Sequence, residues 1–349
     1  MPANEPLISV VIPAYNAAAY IGPTLDTVFA QTFTNFEVIV VNDGSPDTAA
    51  LESTLAPYRS RIRYIRQENR GPSGARNVAI KDARGSYIAF LDSDDVWLPR
   101  HLERQVAMLE ADSSLGLVYS NAVHIEDGRA VGVAFDNTPQ SLPVDFDALL
   151  EERATVNTSS AVALRRAILE AGLFDEQMRR CEDFDLWLRM AYSGVRVTFS
   201  REIQIGHRLA NGLAASGDLM KQALIQVYEK TAATKTLSAK QQAIVREKIR
   251  TISTAMQFER AKQHLLEGSF AKSLECLELA RASARSWKLR AAELGIRSFP
   301  RILQTAYRSH LRGVERRKRA RRARSLARAG ISGGSIPGFN IPADRPAAL

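Results

Sequence analysis

"LISVVIPAYN", residues Leu7 to Asn16, and "FEVIVVNDGSPD", residues Phe36 to Asp47, follow one plan. Each is a continuous, largely β-branched apolar run that stops at Pro, Asn, Asp or Gly, the pattern of a strand buried on both faces and closed by a turn. Between them Ile21, Leu25, Val28 and Phe29 recur at helical spacing. Strand, helix, strand is a βαβ unit, the building block of a parallel sheet covered by helices.

Outward from this unit, "RIRYIRQE" (61–68) and "SYIAFLD" (86–92) supply two further strands, with "GPSGARNVAIKDARG" (71–85) giving a loop and a helix between them. The first ~100 residues thus read as a doubly wound, Rossmann-like nucleotide-binding half. Polar and acidic residues gather where the strands end: Tyr15 and Asn16, Asp43, Asn69, then Asp92 and Asp94. Ligands of open α/β sheets bind at that edge. Further on, "GLVYSNAVHI" (116–125) reads as a strand and "NTSSAVALRRAILEAG" (157–172) as a short strand entering a helix. "EDFDLWLRMAYSG" (182–194) reads as an amphipathic helix closed by Gly194.

From Asp218 the chain becomes rich in Ala, Leu, Lys, Gln and Arg without a clear strand, which favours helices. The expected organisation is an α/β domain over 1–217, an all-α region over 218–330 and a Gly- and Pro-rich, disordered tail over 331–349. Within the helical region "AKQHLLEGSFAKSLECLELARA" (261–282) resembles one tetratricopeptide-type hairpin. Gly268 stands at its turn, with Phe270, Ala271, Leu274 and Leu277 packing.

"GSYIAFLDSDDVW", Gly85 to Trp97, places Asp92, Asp94 and Asp95 directly after a buried strand. Crowded carboxylates repel one another unless a cation or hydrogen-bond donors offset them. A hard divalent ion suits oxygen ligands of this kind and keeps water and phosphate as its other ligands; a solvated acidic turn is the structural alternative. Only two cysteines are present, Cys181 and Cys276, with no CxxC spacing, so neither a disulfide framework nor a cysteine zinc site is indicated. They are expected as core thiols.

Five stretches together are similar to the ordered motifs of the family 2 inverting glycosyltransferases, which adopt the GT-A fold. They are "SVVIPAYNAAAYIGPTLDTVFAQTF" (9–33), "EVIVVNDGSPD" (37–47), "ENRGPSGARNVAI" (68–80), "GSYIAFLDSDDVW" (85–97) and "CEDFDLWLRM" (181–190). The resemblance covers about residues 7–216 and implies a doubly wound mixed sheet that binds a nucleotide-sugar donor, UDP-linked by family weight. It implies that Pro13, Ala14, Tyr15 and Asp43 embrace the base and ribose; an Asx-turn residue before Gly44 is the structural alternative for Asp43, and the two roles are compatible. It implies further that Asn69, Gly74, Arg76 and Asn77 shape the pocket from a loop and helix start, where phosphate is favoured; a flexible Gly-rich connection is the alternative.

Asp92 and Asp94 match the family's DxD element, which implies Asp92 at the ribose or a metal water and Asp94 as ligand of Mn²⁺ or Mg²⁺, with Asp95 unassigned. His207 is a further metal or phosphate candidate, in a stretch that departs from the family's usual spacing. In "CEDFDLWLR" the resemblance implies Asp183 as the general base and Glu182 as an acceptor-binding or orienting residue; an acidic helix N-terminus that complements the helix dipole is the structural alternative. Thr158, Ser159 and Ser160 fall where relatives line the acceptor site, or simply cap a helix. Trp187, Leu186 and Leu188 are expected to pack, with the ring also suited to stacking on a sugar.

Net charge is +9, but residues 1–280 carry 30 Lys/Arg against 35 Asp/Glu and residues 281–349 carry 17 against 3. A C-terminal segment of that sign, centred on "YRSHLRGVERRKRARRARSLARAG" (307–330), calls for an anionic partner, here an anionic membrane surface, or is a solvated helix. No apolar stretch approaches the ~20 residues of a membrane span and no leader pattern opens the chain, so a cytoplasmic location is expected, peripheral to the membrane. The expected acceptor is a saccharide or a lipid-linked saccharide in cell-surface polysaccharide synthesis. The competing readings are an inactive nucleotide-sugar-binding protein and a nucleic-acid binder. Intact Asp92, Asp94 and Asp183 speak against the first, and the lack of any reading module against specific nucleic-acid binding.

Overall fold

A computed structural model of the chain describes residues 5–136, 140, 142–209, 217–284 and 286–331. The first strands and helices alternate as β1 (Ile8–Ala14), α1 (Ile21–Phe29), β2 (Phe36–Asp43), α2 (Thr48–Leu55), β3 (Arg63–Gln67), α3 (Gly71–Asp82) and β4 (Tyr87–Phe90). Then come β5 (Val96–Trp97), α4 (His101–Ala111), β6 (Leu115–Glu126), β7 (Arg129–Val133) and α5 (Phe146–Leu150). They are followed by β8 (Val162–Leu164), α6 (Arg165–Glu170), α7 (Glu182–Tyr192) and β9 (Arg196–Arg208). The rest is helical: α8 (Gly217–Thr234), α9 (Ala239–Glu267), α10 (Phe270–Ser283), α11 (Trp287–Ser298) and α12 (Pro300–Arg328).

Among the described residues nine strands form one sheet in the order β3-β2-β1-β4-β8-β6-β9-β5, with β7 added to β6. The first four pair in parallel, Val10 lying between Val38 and Ala89. Antiparallel β8 joins β4 to β6. Both faces of β1 and β2 are buried, as their unbroken apolar runs require: Val10, Ile12, Val38 and Val40 meet Ile21, Leu25 and Val28 of α1, while Val11, Ile39 and Val41 are equally buried on the other side. β5, β7 and β9 are strands that periodicity left unassigned, and β9 is the longest of them. The alternation of β9 breaks where Arg201 and Glu202 bulge out between the residues paired with Ser120 and Asn121 of β6.

The chain divides into two compact units, Met1–Asn211 with Ala323–Leu349, and Gly212–Arg322. In the first unit Ser325 Oγ accepts from Val133 N, Arg328 pairs with Asp136, and Ile331 is buried with Val96, Val123 and Ile125. The remainder of the 331–349 tail lies outside the described residues. In the second unit α9 opens with a capping box between Ser238 and Gln241, and α9 and α10 fold back about Gly268 (φ 79°). Leu277 is buried against Ala261 and Leu265, but Ala271 is exposed; the tight position belongs to Ser273, whose Oγ donates to Ala261 O. Among the described residues no helix is long and apolar enough to cross a membrane.

Candidate active site

The carboxyl ends of β1, β2 and β4 lie side by side, which brings the loops after them together. Tyr15 is 54% exposed beside buried Ala14, and the amide of Asn16 donates to Ser45 Oγ at 2.6 Å. Asp47 binds the amide of Ala18. Asn42, not Asp43, closes this turn, its Oδ1 accepting from Ser45 N three residues on. Asp43 is turned to the next loop instead, where its Oδ1 accepts from Gln67 Nε2 at 2.7 Å and Arg70 N at 2.8 Å. Gly44 has a positive φ of 64°, and a Cβ there would stand 2.7 Å from the amide nitrogen of Asn69, so these two loops touch backbone to backbone. A Cβ on Gly74 would meet Arg70 Cβ at 2.4 Å; that glycine lets α3 pack under its own first turn.

Arg76, carried into the interior by α3, joins the two acidic motifs. Its Nη2 donates to Asp92 Oδ1 at 2.6 Å and its Nη1 to Glu182 Oε1 at 2.8 Å. Burial works against this guanidinium, yet Asp92 and Glu182 outweigh it and hold its pKa above the usual arginine value. Burial, together with neighbouring Asp183, pushes the Glu182 carboxyl up despite the Arg76 contact. Asn77, one residue on, clamps Phe174 through its amide at both backbone N and O and binds Glu176, fixing the loop that leads to α7. Arg76 itself lies with Cζ 5.4 Å from the Phe174 ring centroid.

Asp183 follows Glu182 in the first turn of α7 and receives Thr158 Oγ1 on its Oδ2 at 2.7 Å. Ser159 accepts the Asp92 amide at 3.2 Å and, through its carbonyl, the Trp97 indole. The Thr158–Ser160 turn therefore touches both acidic motifs, one hydroxyl for each. Ser160 exchanges hydrogen bonds with the Ser120 backbone. Trp187 is fully buried edge-on to Phe90 and Phe174, so it packs and is not available to a sugar; Leu186 and Leu188 are buried with it. Cys181, at φ 54° before α7, has its thiol pushed up to about 12 by burial and by Asp183. A thiol held neutral in this way is a poor nucleophile.

Asp95, unassigned from sequence, is fully buried and ties β9 to the acidic turn: its carboxylate accepts from Arg208 N and faces His207 Nδ1 at 3.0 Å. Arg208 also donates to Asp94 O at 2.6 Å. Asp95 thus raises the His207 pKa to about 9, against burial. Asp94 is pushed up to about 7 by burial and by the charges of Asp95 and Asp92. A carboxylate so destabilised by like charge is an oxygen donor suited to a hard divalent cation. Among the described residues no group of three or more His, Cys, Asp or Glu is arranged to hold a metal. Asp92 spends one oxygen on Arg76 and His207 spends Nδ1 on Asp95, so the donor set fits an ion held mainly by Asp94 with water and phosphate oxygens completing it.

The sequence model described as glycosyl transferase family 2 matches residues 9–172. The Escherichia coli protein UDP-Glc:alpha-D-GlcNAc-diphosphoundecaprenol beta-1,3-glucosyltransferase WfgD is 34% identical over 186 residues, 53% of this chain and 70% of its own length. An uncharacterized glycosyltransferase of Rickettsia felis is 31% identical over 188 residues, but that match spans only 31% of the relative's length. Among solved structures, S. aureus TarS 1-349 in complex with UDP superposes with a TM-score of 0.57 at 20% identity, covering 87% of this chain and 91% of that one. Mannosyltransferase PcManGT from Pyrobaculum calidifontis, in complex with GDP-Man and Mn²⁺, gives 0.56 at 20% identity over 94% and 88%. The fold, a GT-A type mixed sheet followed by helices, is the one the five motifs imply.

Proposed function

The chain belongs to glycosyltransferase family 2, and on that premise we propose that it moves a sugar from a nucleoside diphosphate sugar, UDP-linked by preference, to a hydroxyl of a saccharide or lipid-linked acceptor, with inversion. The observation that supports this reading best is the bridge of Arg76 between Asp92 and Glu182, one guanidinium shared by an acid of the first acidic motif and an acid of the second. Pro13, Ala14, Tyr15, Asp43 and Asn69 are the base and ribose contacts, and Asp94 with Asp92 forms the diphosphate end. A Mn²⁺ or Mg²⁺ ion bound there supplies positive charge to the departing diphosphate. His207, cationic at neutral pH beside Asp95, adds charge at the same end.

Across the pocket Asp183, oriented by Thr158, takes the proton of the attacking hydroxyl. Attack from the face opposite the leaving group then inverts the anomeric carbon in one displacement, with no enzyme-bound sugar. The name of WfgD and the UDP bound to TarS support a UDP donor, and the name of WfgD supports a polyprenyl-diphosphate-linked acceptor. A thermal-shift panel of UDP-, GDP- and TDP-sugars with and without Mn²⁺ tests the donor, because a ligand of the folded state raises apparent stability as RT ln(1 + [L]/Kd). A Mn²⁺-dependent shift with a UDP-sugar is expected; no shift with any nucleotide sugar would overturn the reading.

A further inference from the structure

We propose that the exposed side of α11, with the α11–α12 junction, is a docking face for an anionic lipid bilayer. The proposal extends the lipid-linked acceptor reading above, but needs none of the transfer chemistry, so its test can fail without touching that reading. α11 has two faces. Leu289, Ala292, Glu293 and Ile296 point into the core of the second unit. At ~100° per residue Trp287, Ala291, Leu294 and Ser298 share the opposite side within a ~60° arc. Trp287 is 75% exposed and Leu294 64%. Phe299 and Ile302, at the junction, are exposed to 63% and 68%.

Four large apolar side chains so exposed within the sixteen residues 287–302 exceed the scattered singles of an ordinary surface and call for a partner. The charge around them says which. Lys288 and Arg290 flank the apolar arc of α11, and Arg301 and Arg308 are exposed beyond the junction. Glu293, the one acid between Trp287 and His310, is turned inward and paired with Arg281 and Arg297. Exposed apolar side chains led by Trp and accompanied by cations match the boundary between headgroups and acyl chains of an anionic bilayer. A second copy of the chain fits less well, because a two-fold contact would set these cations against themselves.

The three tryptophans make the test specific. Trp97 and Trp187 are fully buried in the first unit, so a change of emission on vesicle binding reports Trp287. The full chain is mixed with phosphatidylcholine vesicles, with phosphatidylcholine–phosphatidylglycerol vesicles, and with the latter carrying brominated acyl chains. Co-sedimentation, a blue shift and bromine quenching are expected only where phosphatidylglycerol is present. Leu294→Asp should weaken binding ~tenfold or more, since it withdraws an apolar side chain and adds a like charge to the lipid's. Trp287→Ser, at an exposed site that leaves the fold intact, should weaken binding and abolish the shift. Absence of sedimentation, or sedimentation with unchanged Trp287 emission, would overturn the proposal. So would a concentration-dependent blue shift without lipid, accompanied by a doubled mass, which would assign the face to a second copy.

Discussion

Replacing Arg76 by Met removes the cation shared by Asp92 and Glu182 and strands both carboxylates. Glu182 keeps only 11% of its side chain exposed, so most of the penalty falls there: removing one partner of a buried pair costs ~3–5 kcal/mol. Asp92 is 35% exposed and water screens it, which limits its share to at most ~1 kcal/mol. The deficit depends on pH. Burial and Asp183 already lift the Glu182 pKa, and loss of Arg76 lifts it further. A carboxyl whose folded pKa exceeds its unfolded value costs little while both states are protonated and loses stability as pH rises through the folded value. Urea unfolding followed by tryptophan emission, which reports buried Trp97 and Trp187 of the same unit, should show a deficit of ~3–5 kcal/mol near pH 7.5 and clearly less near pH 5. Arg76→Lys should fall between, because one ammonium lacks the fork that spans two carboxylates. A deficit below ~1 kcal/mol, or one equal at both pH values, would refute the bridge as an organising element.

Thr158→Val should lower kcat roughly tenfold with the donor KM unchanged, in steady-state assays, because it loses only the hydrogen bond that orients Asp183. Since Asp94 sits near pH 7 and must be ionised to hold a cation, Mn²⁺-dependent donor affinity should rise from about pH 6 to about pH 8, and calorimetry in buffers of different ionisation enthalpy should register proton release that fades at the upper end. Gly44→Ala should lower stability by ~1–2 kcal/mol or more in the same urea assay, from the left-handed backbone alone, and the contact with the Asn69 backbone adds to it.

The strand-end logic carried most of the fold. Apolar runs closed by "PAYN" and "NDG" set β1 and β2, and the acids after β4 fell at the same sheet edge. β5 is only two residues long and β9 is interrupted by a bulge, so neither offered a period to read. The site was legible as residue types but not as partnerships. Nothing in the spacing of Arg76, Asp92 and Glu182 discloses that one guanidinium reaches both carboxylates, since that depends on how α3 and α7 pack. For the same reason Asp95 could not be separated from its neighbours in "DSDD", although it alone turns inward to β9. The pair Thr158 and Ser159 stood in the right segment, and only the structure divides them between Asp183 and Asp92.

The division of labour between the two acidic motifs is tested most directly by measuring donor affinity and single-turnover transfer in Asp183→Asn. The donor Kd should stay within ~twofold of the unsubstituted protein while the transfer rate falls by ~10²–10⁴, the range set by loss of a general base. Transfer at the original rate, or donor binding lost together with it, would contradict the assignment.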